Sequence, residues 1–259
     1  MRRRQAAALG LVQGVAEVVP VSSSAQLVLL PRLLGWPDPP HRTAFAALLH
    51  AGSTLGLAVA LRAELRELVT TSRGRRRVGV FAATCLPAAV AGLALHDDVE
   101  QRLGSPRQVA VLLGAAGAFM WAADRRTERV DEVRPRDAAA AAAAQLLALA
   151  PGVSRHGATL TALRLCGVER AAATRFSLLM SMPVTGGAAL VPLAKADRAT
   201  LRALARLAAV GLPAATGAAA AAAAVWRRDP GRPLTAAAVY RLVVAALTLA
   251  RLRTRSRPG

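Results

Sequence analysis

Four long stretches of this chain, 44–61, 78–95, 176–194 and 207–226, contain no Asp, Glu, Lys or Arg. Each is long enough, or nearly so, to cross a hydrocarbon core of roughly 30 Å as one helix. Two shorter apolar runs, 108–123 and 234–250, raise the expected spans to six, the second interrupted by Arg241. The 259 residues carry 34 Lys+Arg against 15 Asp+Glu, a formal charge of +19. A basic chain of this kind first suggests a nucleic-acid binder. However, 54% of the residues are hydrophobic and only 3% aromatic, and the arginines fall between the apolar runs. Basic loops around apolar spans mark a multi-pass membrane protein, so no nucleic-acid partner is expected. Two cysteines imply no disulfide framework, and the spacings of a zinc site are absent.

Residues 6–35 and 138–167 depart from the spanning pattern. Each has an apolar half, a Pro/Ser break and a second apolar half, and each half is too short to span. Irregular backbone at membrane depth is tolerated only where protein or a wet cavity surrounds it. Both stretches are therefore expected to form re-entrant helix–loop–helix hairpins. A cleavable signal segment at 6–35 is the lesser alternative, because Glu17 interrupts its apolar core.

The two stretches also resemble each other. An offset of 132 places Val21-Ser22 on Val153-Ser154, Arg32-Leu33 on Arg164-Leu165 and Gly35 on Gly167. This predicts one membrane domain over 1–259, with repeat one at about 1–132 and repeat two at about 133–259. Three spans separate the hairpins, and an odd number reverses orientation. The expected fold is thus all-α, with six transmembrane helices and two re-entrant hairpins in an inverted-topology repeat. Loops 62–77 and 124–136 carry six and five arginines, the facing loop 96–107 two. Positive-inside counting makes the first two cytoplasmic and places both termini outside.

Chemistry is expected at the breaks. Glu17 is a carboxylate in an apolar half-helix, which is expensive and points to function. Gln13 lies one turn earlier on the same face. Ser22, Ser23 and Ser24 offer hydroxyls for capping, anion binding or nucleophilic attack. In the second break, Gly152 and Gly157 permit close backbone approach, Ser154 and Thr159 add hydroxyls, and Arg155 adds a fork for phosphate oxygens. A half-helix N-terminus there suits an anion. One carboxylate, several hydroxyls and one arginine around a midplane cavity suggest phosphoryl chemistry on a lipid, against the plainer reading of an Arg155–Glu17 structural ion pair. His156 is a candidate base or metal ligand, while His50 reads more readily as structural.

The run Gln13-Gly14-Val15-Ala16-Glu17 followed by Pro20-Val21-Ser22-Ser23 resembles the first signature of the undecaprenyl-diphosphatases, the bacitracin-resistance phosphatases: (E/Q)xxxE, then PxSSxxH. Residues 151–159 resemble their second signature, PGxSRSxxT. Arg175 to Leu179 with Pro183, and Tyr240-Arg241, also match family positions. The resemblance implies a bacterial plasma-membrane enzyme that hydrolyses undecaprenyl diphosphate at the extracytoplasmic face, recycling the carrier lipid for cell-wall synthesis. It implies Glu17 as the essential acid, Ser23 as nucleophile, and Arg155 and His156 as catalytic partners. Gln13, Ser22, Gln26, Gly152, Ser154 and Thr159 would bind substrate. A divalent cation, Mg2+ or Ca2+, would be held with Glu17. Expected partners are the polyprenyl diphosphate and membrane lipids, with a homodimer left open.

Two positions depart from the family pattern. Gln26 stands where a histidine is usual, and His156 where a serine is usual. An amide cannot serve as a general base, so His156 is expected to supply the imidazole from the opposite hairpin. A polyprenyl-phosphate transporter or an inactive homologue are the alternative functions.

Overall fold

The computed structural model describes residues 1–255, and their side chains except those of Arg73, residues 96–101 and Arg255. Those residues form eleven helices and no strand; an isolated bridge joins Val130 and Val168. The first break separates α1 (Arg3–Val18) from α2 (Ser23–Leu33), and the second separates α7 (Pro135–Leu147) from α8 (Arg155–Leu165). α3 (Arg42–Ala60) follows the first pair, then the short amphipathic α4 (Arg62–Thr70), α5 (Ser72–Leu103) and α6 (Pro106–Asp124). α9 (Arg170–Lys195), α10 (Arg198–Arg228) and α11 (Thr235–Arg255) follow the second pair.

Five helices are long and apolar enough to cross a membrane: α3, α9 and α10, with Gly74–Leu95 of α5 and Thr235–Thr254 of α11. The expected sixth, α6, has 19 residues, but Pro106, Arg107 and Gln108 at its start and Asp124 at its end leave an apolar stretch shorter than a full span. The expected loop 96–107 is also shorter than its composition suggests, because α5 continues to Leu103. The side chains of 96–101, expected in that loop, lie outside the described residues.

The offset of 132 recurs in the backbone. α2 and α8 begin and end 132 residues apart. Each is preceded by a serine at positive φ, Ser22 at 68° and Ser154 at 74°, and followed by a glycine at positive φ, Gly35 at 66° and Gly167 at 79°. A non-glycine residue at positive φ costs on the order of 1–3 kcal/mol, so both breaks are held by their surroundings. At the second break the holder is Arg241 of α11, fully buried, which donates to the carbonyls of Gly152 (3.0 Å) and Val153.

Helices in lipid gain nothing from expelling water, so close packing must hold them together. α10 lies in a trough built from glycines of α1 and α3. A Cβ on Gly14 would stand 2.7 Å from Ala218 Cβ, and one on Gly52 would stand 2.7 Å from the Leu212 carbonyl oxygen. Gly10 and Gly56 repeat these contacts one turn away. Thr216 strengthens the seam by donating to Gly52 O at 3.0 Å. At one end of the bundle, buried Arg164 donates to Val168 O (2.6 Å) and Arg126 O (2.7 Å), while Asp124 accepts from Arg170 (2.8 Å) and Leu234 N (3.0 Å). That cluster ties α6, the α8–α9 turn and α11 together. Arg32, its counterpart at the 132 offset, is exposed and pairs with the exposed Asp38 at 3.4 Å.

Gly56→Leu is expected to cost about 3 kcal/mol, the upper end for overpacking, because its Cβ meets backbone rather than a movable side chain. Gly217→Leu, with nothing within 4 Å of its Cβ, is the tolerated control. Thermal unfolding in detergent separates the two.

Candidate functional site

The two breaks face one another across a cavity of about 660 Å3, lined at its floor by Glu17, Ser23, His50, Ser154, Arg155 and His156. Glu17 is the only carboxylate lining it among the described residues. It is 5% exposed and lies on α1 one turn beyond Gln13. A charge so placed needs polar partners on every side, and five helices surround it with them. Gln13 Nε2 donates to Glu17 Oε2 at 2.9 Å, and Ser23 Oγ, on the first residue of α2, donates to the same oxygen at 2.9 Å. Thr185 of α9 donates to Oε1 at 2.9 Å. Arg155, the first residue of α8, brings Nη2 within 3.8 Å of Oε1, and His50 of α3 brings Nε2 within 4.0 Å of Oε2.

Both α2 and α8 begin at the cavity, so two sets of free backbone N–H groups and two positive dipole ends meet there. In α8 one such N–H is taken, since Ser154 Oγ accepts from Gly157 N at 3.1 Å. The His156 ring is 3% exposed, with Nδ1 paired to Ser177 Oγ at 2.8 Å. Its Nε2 is buried with no protein hydrogen-bond partner. His50 Nδ1 contacts the Ala46 carbonyl at 2.8 Å, which fixes the proton there and leaves Nε2 turned to Glu17.

The sequence candidates fall into two groups. Glu17, Ser23, Ser154, Arg155 and His156 line the cavity. Gln13, Ser22, Gln26, Gly152 and Thr159 do not. Gln13 bridges Glu17 and Ser53 Oγ (3.3 Å). Ser22 holds the strained break. Gln26 donates to Val21 O at 3.0 Å and accepts from Tyr240 at 2.9 Å. Gly152 packs against the α6 backbone, and Thr159 donates to the Arg155 carbonyl at 3.0 Å.

The imidazole directly beside Glu17 belongs to His50, which the sequence left as structural. Thr185 and Ser53 were also missed, and Ser177 stood only inside the matching run Arg175 to Leu179 with no role given to it. Their one signal was a polar residue inside an apolar span, and helical spacing alone cannot say which of those face a site.

The donor set does not make a divalent-cation site by itself. Hard cations want six or more oxygens, several from carboxylates. The single carboxylate here already accepts three hydrogen bonds beside an arginine, and no cluster of three His, Cys, Asp or Glu able to hold an ion exists among the described residues.

Residues 6–247 match the family described as Bacitracin resistance protein BacA. An undecaprenyl-diphosphatase of Gemmatimonas aurantiaca is 38% identical over 97% of this chain and 98% of its own length. That of Desulforudis audaxviator is 40% identical over 73% and 75%, and that of Geobacter metallireducens 38% over 74% and 76%. The strained Ser–Ser break, the glutamate below it and the arginine opposite thus sit in a chain that belongs to the bacitracin resistance protein BacA family.

Proposed function

We propose that this protein hydrolyses undecaprenyl diphosphate to undecaprenyl phosphate and inorganic phosphate, returning the carrier lipid to cell-wall synthesis. The observation that carries this is the Ser23–Glu17 hydrogen bond of 2.9 Å with Arg155 on the other carboxylate oxygen. A hydroxyl facing a buried base beside a guanidinium is equipped for attack on phosphorus. The names of the relatives support the same reaction.

Ser23 Oγ attacks the terminal phosphorus as its proton passes to Glu17 Oε2. The bond to the bridging oxygen breaks, and undecaprenyl phosphate leaves with the proton that Glu17 returns to its oxygen. Water then attacks the phosphoserine as Glu17 takes its proton, and that proton passes back to Ser23 Oγ as the serine–phosphorus bond breaks and phosphate is released. Positioning and charge stabilisation do most of the work in phosphoryl transfer. Arg155 and the N–H groups opening α2 and α8 supply them. His156 Nε2, without a protein partner, meets a phosphate oxygen, and His50 stands where Glu17 can share its proton. A divalent cation would have to arrive with the diphosphate, where it would add positive charge beside the phosphoryl group, and Glu17 is the one cavity carboxylate that would face it among the described residues.

The architecture proposed with this activity is six spans, α6 included, and two re-entrant hairpins in inverted repeats of about 1–132 and 133–259. The paired breaks and the 132-residue spacing of α2 and α8 support it. The membrane is the bacterial plasma membrane. The cavity runs to Arg42, Gly104 and Lys195, at the end away from the arginine-rich loops 62–77 and 124–136. Positive-inside orientation therefore opens it to the extracytoplasmic side.

The test is phosphate release from undecaprenyl diphosphate by purified protein in detergent. Arg155→Ala is expected to lower turnover by about 10²–10³, and Glu17→Gln by at least as much. Ser23→Ala is expected to abolish a phosphoenzyme trapped by acid quench; turnover within threefold of wild type would assign the attack to water instead. Thr185→Val, which removes one donor from Glu17, is expected to slow release by about three- to tenfold. Lipid binding or translocation with no phosphate release would mark a carrier of polyprenyl phosphate.

A further inference from the structure

The cavity continues well beyond the groups that handle a diphosphate. α5 and α9 touch where Phe81 stacks on Phe176 (ring centroids 4.9 Å apart) and where Cys85 Sγ donates to Met180 O (3.5 Å). Two residues past Cys85 and three past Met180 each helix carries a proline, Pro87 and Pro183. Proline removes a backbone N–H and presses on the turn before it. Past that level the two helices stop packing on one another. A Cβ on Gly92 would meet only Leu149, at 3.4 Å, and one on Gly187 would meet nothing within 4 Å. Ala88, Gly92 and Leu93 of α5 and Val184, Gly187 and Leu190 of α9 line the cavity here. Leu93 and Leu190 line the cavity and remain two-thirds exposed, at 66% and 68%. The cavity is therefore a wedge, polar at its floor and apolar at its side.

We propose that this wedge between α5 and α9 holds the first isoprene units of the substrate tail, at most four to five of them, and that Gly187 and Gly92 set its width. The inference rests on the hydrolase reading above. At about 20 Å3 per non-hydrogen atom in a packed interior, the diphosphate fills about 180 Å3 of the 660 Å3 of the whole cavity. The remaining volume, which includes the mouth at Arg42, Gly104 and Lys195, sets an upper bound of about four or five units of about 100 Å3 each at the same density. The other units of an undecaprenyl chain lie in lipid, where the protein cannot count them. Tail selection should thus rise over the first units and then stop.

The experiment compares kcat/KM for phosphate release from C10, C15, C20 and C55 prenyl diphosphates in one detergent. Wild type is expected to gain about tenfold or more per unit up to C20, with C20 and C55 within about threefold. Gly187→Phe is expected to flatten this series, bringing C20 close to C10, and Gly92→Phe to do the same from the opposite wall. Gly187→Ala should keep the wild-type ratio, because its Cβ has room. Gly187→Leu gives an intermediate ratio should the phenylalanine variant fail to fold. A fold defect would lower every substrate alike and leave the C20 to C10 ratio untouched, so an unchanged ratio in folded variants overturns the proposal. Equal rates for all tails in wild type overturn the wedge while leaving the hydrolase intact. No phosphate from any substrate overturns both.

Discussion

A carboxylate at the depth of a hydrocarbon core is tolerated only where donors surround it, and leaving one such charge unpaired costs several kcal/mol. Glu17 draws Gln13 from its own helix, Ser23 from the next, Thr185 from α9 and Arg155 from α8, with His50 of α3 beside it. These elements come from both ends of the sequence, so satisfying one charge closes the bundle around the site. The same contacts aim a hydroxyl, a guanidinium and two helix N-termini at one point. The packing of the bundle and the layout of the cavity floor depend here on the same few hydrogen bonds.

The two halves of the chain share an offset but not a surface. In the first half α3 packs on α10 through Gly52 and Gly56, and a side chain at either would strike α10. At the offset of 132 those positions are Val184 and Ala188 of α9, both in the cavity lining. One seam is sealed by glycine packing and its counterpart opens beyond Pro87 and Pro183. A repeat with two open seams would lose the packing that helices in lipid depend on. The arginine cluster shows the same division, since Arg164 is buried in a network and Arg32 is exposed.

Much of this was legible in the residues. Uncharged runs of about 18 residues can only be spans or a buried core, and a Pro/Ser break between two short apolar halves can only be a break. Glu17, Ser23 and Arg155 stood out because charge or repeated hydroxyls are costly in such places. The limit of α6 was harder to see, because its apolar centre is flanked by Arg107, Gln108 and Asp124. Gln26 and Thr159 were grouped with the ligand-binding residues by motif, yet their side chains bond within the protein.

The sequence by itself determined the solvent, the helical class, the two breaks and the polar residues at them, because each follows from local composition and spacing. Only the tertiary structure decided that His50, rather than His156, stands against Glu17, and that Arg241 is spent on the Gly152 and Val153 carbonyls. It also decided that the α5–α9 seam parts where α3–α10 closes. Those outcomes depend on which helix faces which, and a helix's sequence marks its polar positions without naming the neighbour that will meet them.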